Sequence, residues 1–304
     1  MGYSLLKGSL QGIIGGSLGL LVAIFTVSVA LILNGCGSGT IPSPDRSTVK
    51  TFHFAMDQAP TTLDPVQGAN IYANFVIVNA YDTLYSYQYL ARPYLLKPNL
   101  AVDFPTISPD GLTYTFRLKK GVRFIDDPCF TNGRGREVVA EDFIYSIKRQ
   151  FDPKNQPQGA WLWQGRIAGL EEWKAAGSDY SKPVRGLHAV DAHTLVVQLT
   201  RPYPQLTSTL AQGYSALVPH EAVEKYGKGL GVRPVGSGPF KLVSYDTARV
   251  VMERNPNYRQ EPVDLAAEGY NPATQKFSGV EAIQGRSPCA MECTPQSYTR
   301  TMAG

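Results

Sequence analysis

Apolar runs broken by short polar stretches predict a mixed set of strands and helices along the chain. Residues 51–56 alternate, with Phe52, Phe54 and Met56 on one face, and read as a strand. Leu63-Asp64-Pro65 ends that run, because the residue before a proline is pushed out of helical geometry. Residues 74–84 are mostly apolar and predict a buried helix leading into Tyr85-Ser86-Tyr87-Gln88-Tyr89. Tyr114, Phe116 and Leu118 face one way and Thr113, Thr115 and Arg117 the other, as in a half-buried strand. Pro109-Asp110-Gly111 opens that strand with a turn, and Lys119-Lys120-Gly121 predicts a hairpin into Val122-Arg123-Phe124. The clearest helix is 140–151, where Phe143, Ile144, Ile147 and Phe151 share a face. Lys148 and Arg149 occupy its last turn, where cations suit the helix dipole, and Asp152-Pro153 stops it. Residues 184–190 and 194–199 flank a turn at Asp191-Ala192-His193, and 219–226 predict a short helix closed by Gly227. A second hairpin joins 240–245 to 249–254, and no repeat recurs at a fixed period.

One apolar run is of another kind. No charge lies between Gly8 and Leu33, Lys7 precedes the run, and residues 18–33 are long enough to enter a bilayer. The run ends in Leu33-Asn34-Gly35-Cys36, which resembles a bacterial lipobox although Asn34 departs from the usual small residue. In that reading the chain is cut before Cys36 and lipid on its thiol tethers the protein to a membrane; the alternative is an uncleaved transmembrane anchor. Both place the remainder outside the cytoplasm. Gly37-Ser38-Gly39-Thr40-Ile41-Pro42-Ser43-Pro44 has the composition of a flexible tether.

Composition narrows the class. The 304 residues are 43% hydrophobic and 18% charged with 22 Pro, too apolar for a disordered chain and too rich in proline for a helical bundle. Lys and Arg (29) barely exceed Asp and Glu (25), so nothing argues for nucleic acid as partner. Seventeen Tyr suit half-buried strands and clefts that are apolar on one side and hydrogen-bonding on the other.

Enzyme motifs fail on context. Gly15-Gly16-Ser17-Leu18-Gly19 fits G-x-S-x-G but lies in the export segment, where no sheet can hold a nucleophile elbow. His220-Glu221 opens like a zinc-protease motif, yet Glu224 stands where a second His is needed. His188, Asp191 and His193 fall at a strand end and turn, where polar residues are ordinary. His53 lies outside any base-plus-nucleophile setting, and Gly227-Lys228-Gly229-Leu230-Gly231 lacks the ending of a phosphate loop. Cys129 stands alone, while Cys289 and Cys293 have neither a second pair nor a nearby His, so no metal and no cofactor are assigned.

What remains is a series of segments in fixed order: Ala59-Pro60-Thr61-Thr62-Leu63-Asp64-Pro65, residues 114–124, residues 140–149, Asp191-Ala192-His193-Thr194, Gly236-Ser237-Gly238-Pro239-Phe240, and Arg254-Asn255-Pro256-Asn257-Tyr258. Together they resemble the family 5 extracellular solute-binding proteins of ABC importers, over roughly residues 50–285. The resemblance implies an α/β fold of the periplasmic binding protein type, two-lobed with an extra subdomain, the ligand enclosed between lobes that exclude water. It divides the chain into a lipoprotein signal peptide (1–35), a tether (36–49), the first lobe (50–90 and 184–270), an inserted subdomain (91–183), and the start of a second lobe (271–304). Because family members run on well beyond this point, it also implies a truncated product with the second lobe largely missing, arising from a frame change after about Pro288. Weak peptide binding and exposed apolar surface would follow. A further departure is the stretch Pro128 to Arg136, which looks like a subfamily insertion and is followed by Val139 where a Thr could cap the helix.

The implied function is capture of an oligopeptide or dipeptide for ABC permease subunits, in the periplasm or cell envelope, with a lipid anchor at Cys36. Positions aligned with ligand-facing segments are Ala69, Asn70, Ile71 and Tyr72, whose backbone would meet an extended ligand. Trp161 and Trp163 are either cleft aromatics or packing between subdomains. Gly236, Ser237 and Gly238 form either a backbone approach to the cleft or a tight turn. Rival readings are a nickel or metal-chelate receptor of the same fold, which the scattered His disfavour, a non-transport envelope lipoprotein, and an envelope hydrolase, for which no motif speaks.

Overall fold

Helix α1 (Ile71–Ala80) starts where Asn70 can cap it: the Asn70 Oδ1 accepts from Ala73 N at 2.7 Å. The computed structural model describes residues 52–68, 70–275 and 284. After α1 come β1 (Tyr85–Tyr87), β2 (Leu96–Pro98), β3 (Thr106–Ile107) and β4 (Thr113–Arg117). Helix α2 (Ala140–Phe151) and the short α3 (Leu170–Ala175) follow, then β5 (Leu187–Asp191) and β6 (Thr194–Gln198). The series ends with α4 (Leu206–Thr209), α5 (His220–Tyr226), β7 (Phe240–Tyr245) and β8 (Val250–Arg254).

The central sheet is antiparallel with order β3-β4-β6-β5. In its register Tyr114 faces Val197 and Phe116 faces Leu195, so the alternation read from the sequence puts all four side chains on the buried face. Helix α2 lays Phe143, Ile147 and Phe151 into the same continuous core, which runs from Ala73 to Val235 and takes in Trp163 and Trp173. Each fully buried large side chain there contributes about 2 kcal/mol. A satellite cluster of Leu90, Val263 and Leu265 lies apart. The described residues from His53 on belong to one compact unit.

Several elements differ from expectation. Residues 52–56 form no strand, and Phe52 and Phe54 are exposed; a strand needs a hydrogen-bonding neighbour, and none among the described residues meets them. The helix expected over 74–84 begins earlier, at Ile71, because the Asn70 cap decides its start. No hairpin forms at Lys119-Lys120-Gly121: β4 takes β3 and β6 as neighbours, and Val122 to Phe124 runs beside Arg136 to Val138 instead. β4 pairs along its whole length with β6, on the far side of residues 183 and 184 in the chain. The helices at 140–151 and 220–226 and both late hairpins stand as read.

At Val139, which cannot cap through its side chain, Asp142 supplies half of a capping box by accepting from Val139 N at 2.9 Å. Arg136, at the end of the stretch from Pro128, holds Asp142 at 2.6 and 2.8 Å and Glu221 of α5 at 2.5 and 2.9 Å. Its guanidinium thereby staples α2 to α5.

Candidate functional site

Helix α1 presents an apolar strip to solvent along its length. Ile71, Phe75 and Val78 follow helical spacing and are 61%, 38% and 47% exposed, with Phe54 packed edge-on against Phe75 at 5.2 Å. Tyr72 is half-buried, its hydroxyl 3.4 Å from the Asp57 carboxylate; loss of solvent first, and then Asp57, raise its pKa. Gly213 lies so close to the Asn74 amide oxygen that a Cβ there would collide, and a Cβ on Gly159 would fall 2.7 Å from the Tyr214 ring. Gly159 precedes the turn Ala160–Leu162 that carries Trp161, which is 62% exposed. Asn70, Ile71, Tyr72 and Trp161 are thus linked through Asn74, Gly213, Tyr214 and Gly159.

Buried charge fixes the loop that precedes α1. Arg149 reaches both Asp64 carboxylate oxygens at 2.8 and 3.1 Å, and the side chain of Gln150 donates to Pro65 O at 3.0 Å. Burial opposes the Arg149 charge, but the bonds to Asp64 outweigh it and hold its pKa above the ordinary value. The Asp64 Oδ1 also accepts from Val66 N, and Gln158 N donates to Val66 O at 2.9 Å. Leu63-Asp64-Pro65 and the end of α2 therefore form one lock beneath Asn70. Lys148 and Arg149 stand in the last turn of α2 as expected, and both are buried there: Lys148 donates to the Tyr180 and Lys182 carbonyls at 3.1 and 2.8 Å.

The Gly236-Ser237-Gly238 segment crosses the far end of α1. A Cβ on Gly236 would strike Ala80 O, and one on Gly238 would lie 2.6 Å from Asn79 O. Gly238 N donates to Ala80 O at 3.0 Å, satisfying a helix-end carbonyl. Ser237 is 1% exposed and its hydroxyl donates to Asp82 at 2.9 Å. Asp82 also takes Arg259 at 2.8 Å and the Asn99 amide at 3.1 Å. Asn255 closes the arrangement from the next motif, donating to Gly238 O at 2.8 Å. The close backbone approach is real, but it is made to α1 and not to solvent.

The two tryptophans part company. Trp161 is open, whereas Trp163 is 1% exposed inside the core, its indole N–H without a partner among the described residues. Ala69 and Cys36 lie outside the described residues. Cys129 is a free, half-buried thiol that burial and Asp127 push up to about 12, far from a reactive thiolate. Among the described residues no group of three or more His, Cys, Asp or Glu is arranged to hold a metal ion, and no helix is long and apolar enough to cross a membrane. Sequence reading missed Asp82, Arg149, Arg259 and Arg136 as organising charges; Asp82 had a signal, a charge within the apolar run Ala80-Tyr81-Asp82-Thr83-Leu84, whereas Arg259 and Arg136 lie in polar stretches that carry none.

Comparison with known proteins decides the family. The sequence profile described as bacterial extracellular solute-binding proteins, family 5 (middle region), matches residues 96–279. The chain belongs to this family. The glutathione-binding protein GsiB of Escherichia coli O1:K1 / APEC is 29% identical over 186 residues, 61% of this chain and 30% of that protein. The periplasmic oligopeptide-binding protein OppA of Escherichia coli K12 is 33% identical over 156 residues, 49% of this chain and 26% of that protein. A crystal structure of a periplasmic oligopeptide-binding protein from Borrelia burgdorferi (OppAIV) superimposes with a TM-score of 0.60 at 26% identity, covering 69% of this chain and 40% of that one. The fold is therefore the α/β fold of the periplasmic binding proteins, in a family of extracellular solute-binding proteins. The chain spans under a third of the length of the curated relatives it matches.

Proposed function

We propose that the protein is the solute-binding component of an ABC importer, exported, held at a membrane by lipid on Cys36, and capturing peptides or similar polar solutes for permease subunits. The observation that carries the reading is the match of residues 96–279 to a family whose relatives here are named as glutathione- and oligopeptide-binding proteins. The geometry supports it. Asn70, Ile71 and Tyr72 offer backbone groups and an apolar helix face that follow a loop held by buried charges, and Trp161 adds an exposed ring. Gly236, Ser237 and Gly238 hold the C-terminal end of the same helix, and Trp163 belongs to the core.

The test is calorimetry of the whole protein with tri- to pentapeptides, glutathione and a nickel–histidine chelate. Saturable peptide heat is expected, and Ile71→Asp or Trp161→Ala weakens it roughly tenfold, the scale of one lost anchor contact. Binding of the chelate alone, or peptide affinity unmoved in both variants, sinks the reading.

A further inference from the structure

Along α2, from Glu141 to Lys148, lies an open cleft of about 480 Å³. Its walls include Glu141, Tyr145, Lys148, Tyr180, His220 and Glu224. The three rings form a continuous surface: Tyr145 is 5.4 Å from Tyr180 and 6.0 Å from His220 between centroids. Burial pushes the Tyr145 pKa up to about 12, so its hydroxyl stays protonated at neutral pH.

The charges at the cleft are not equally free. Arg136 is saturated by Asp142 and Glu221, and Glu137 by His193 and Gly121 N. Lys148 is 6% exposed and spends its ammonium on two backbone carbonyls. Glu141 and Glu224 are exposed and enter no ion pair among the described residues. Glu137, Glu141, Asp142 and Glu224 line the cleft against Arg136 and Lys148, so, His220 apart, the lining carries a net charge of −2 beside partly buried tyrosine rings. Carboxylates with ring faces are the chemistry that receives an organic cation.

We propose that this cleft binds an alkylammonium or guanidinium group, at a site separate from the α1 face. It does not rest on the peptide reading, because none of its residues belongs to the α1 surface. The cation enters between Glu141 and Glu224, loses part of its hydration against Tyr145 and Tyr180, and leaves Lys148 on its carbonyls.

The experiment titrates the whole protein, by nuclear magnetic resonance of its aromatic side chains, with n-butylammonium, n-butylguanidinium, the lysine side-chain mimic Nα-acetyl-lysine amide, and the isosteric controls butyrate and butanol. Saturable shifts with the cations and none with the controls are expected. Glu141→Gln combined with Glu224→Gln weakens the cations roughly tenfold, and Tyr145→Leu weakens them more than Tyr145→Phe. Both glutamates are exposed, so a thermal melt of the variant unchanged from the parent shows that loss of binding is not loss of fold. Tighter binding of the lysine mimic than of butylammonium supports a peptide or protein side chain as the source, and the reverse supports a free amine. Butyrate binding as well as butylammonium, or the double variant binding like the parent, overturns the proposal.

Discussion

Asp82 shows what a single residue decides here. It is 4% exposed on its residue surface, and Arg259, Ser237 and Asn99 all donate to it from distant parts of the chain. Removing Asp82 leaves the buried Arg259 guanidinium with Glu261, 3.1 Å away and partly exposed, in place of its buried partner. Asp82→Ala is expected to cost about 3 kcal/mol, read as a fall in the urea midpoint. Asp82→Ala with Arg259→Met is expected to recover part of the loss, because no charge is then left unpaired. A double variant no more stable than the single one would show that Asp82 acts through packing alone. The sequence did not disclose this role. Ser237 was read for its neighbouring glycines, which do mark a close backbone approach, but what they approach depends on where α1 ends. Trp161 and Trp163 make the same point: two residues apart, one is open and one buried, because a single short turn rotates them to opposite sides and no periodicity reports it.

Elements were legible where a repeating pattern faces a core. The period-two runs of β4 and β6 and the helical stripe of α2 were read correctly because burial enforces each of them residue by residue. Pairing partners were less legible. The turn at Lys119-Lys120-Gly121 suggested a local hairpin, yet β4 gains more by pairing with β6, which brings Leu195 and Val197 into line with Phe116 and Tyr114. That turn is instead tied to the β5–β6 turn through Glu137, which accepts from Gly121 N at 2.5 Å and meets His193 Nε2 at 2.9 Å. These bonds, the one from Gly121 first, hold the Glu137 carboxyl below its ordinary value of 4.5. Its folded-state pKa is thus lower than its unfolded one. The stabilisation is fully present above about pH 4.5 and disappears as the pH falls through the lowered folded value. Glu137→Gln is therefore expected to flatten the loss of urea midpoint between about pH 5 and about pH 3, with little change near neutrality. Acid curves of parent and variant that run parallel would assign the loss to other carboxylates.

On the scale of the whole molecule, the notable imbalance is between a fully used interior and an α1 face that is not covered. Ile71, Phe75 and Val78, with Phe54 beside them, form a contiguous apolar strip next to Asn74 and Tyr72, while the opposite side of the same helix buries Ala73, Val76, Ile77 and Ala80. Isolated exposed apolar residues carry no message, but a strip at helical spacing on a rigidly held helix marks a surface that expects contact. The lock of Asp64 on Arg149 below it and the Gly238 contact at its end keep the helix from turning that strip inward. An apolar dye such as anilinonaphthalene sulfonate should therefore bind the native protein well below its unfolding transition, and Phe75→Lys with Val78→Lys should remove most of that fluorescence. The same surface is the proposed peptide wall, so a saturating peptide should displace the dye. The two effects separate the structural claim from the functional one. Dye that persists in the double variant refutes the exposed strip, whereas dye lost in the variant but untouched by peptide leaves the strip in place and removes α1 from the peptide site.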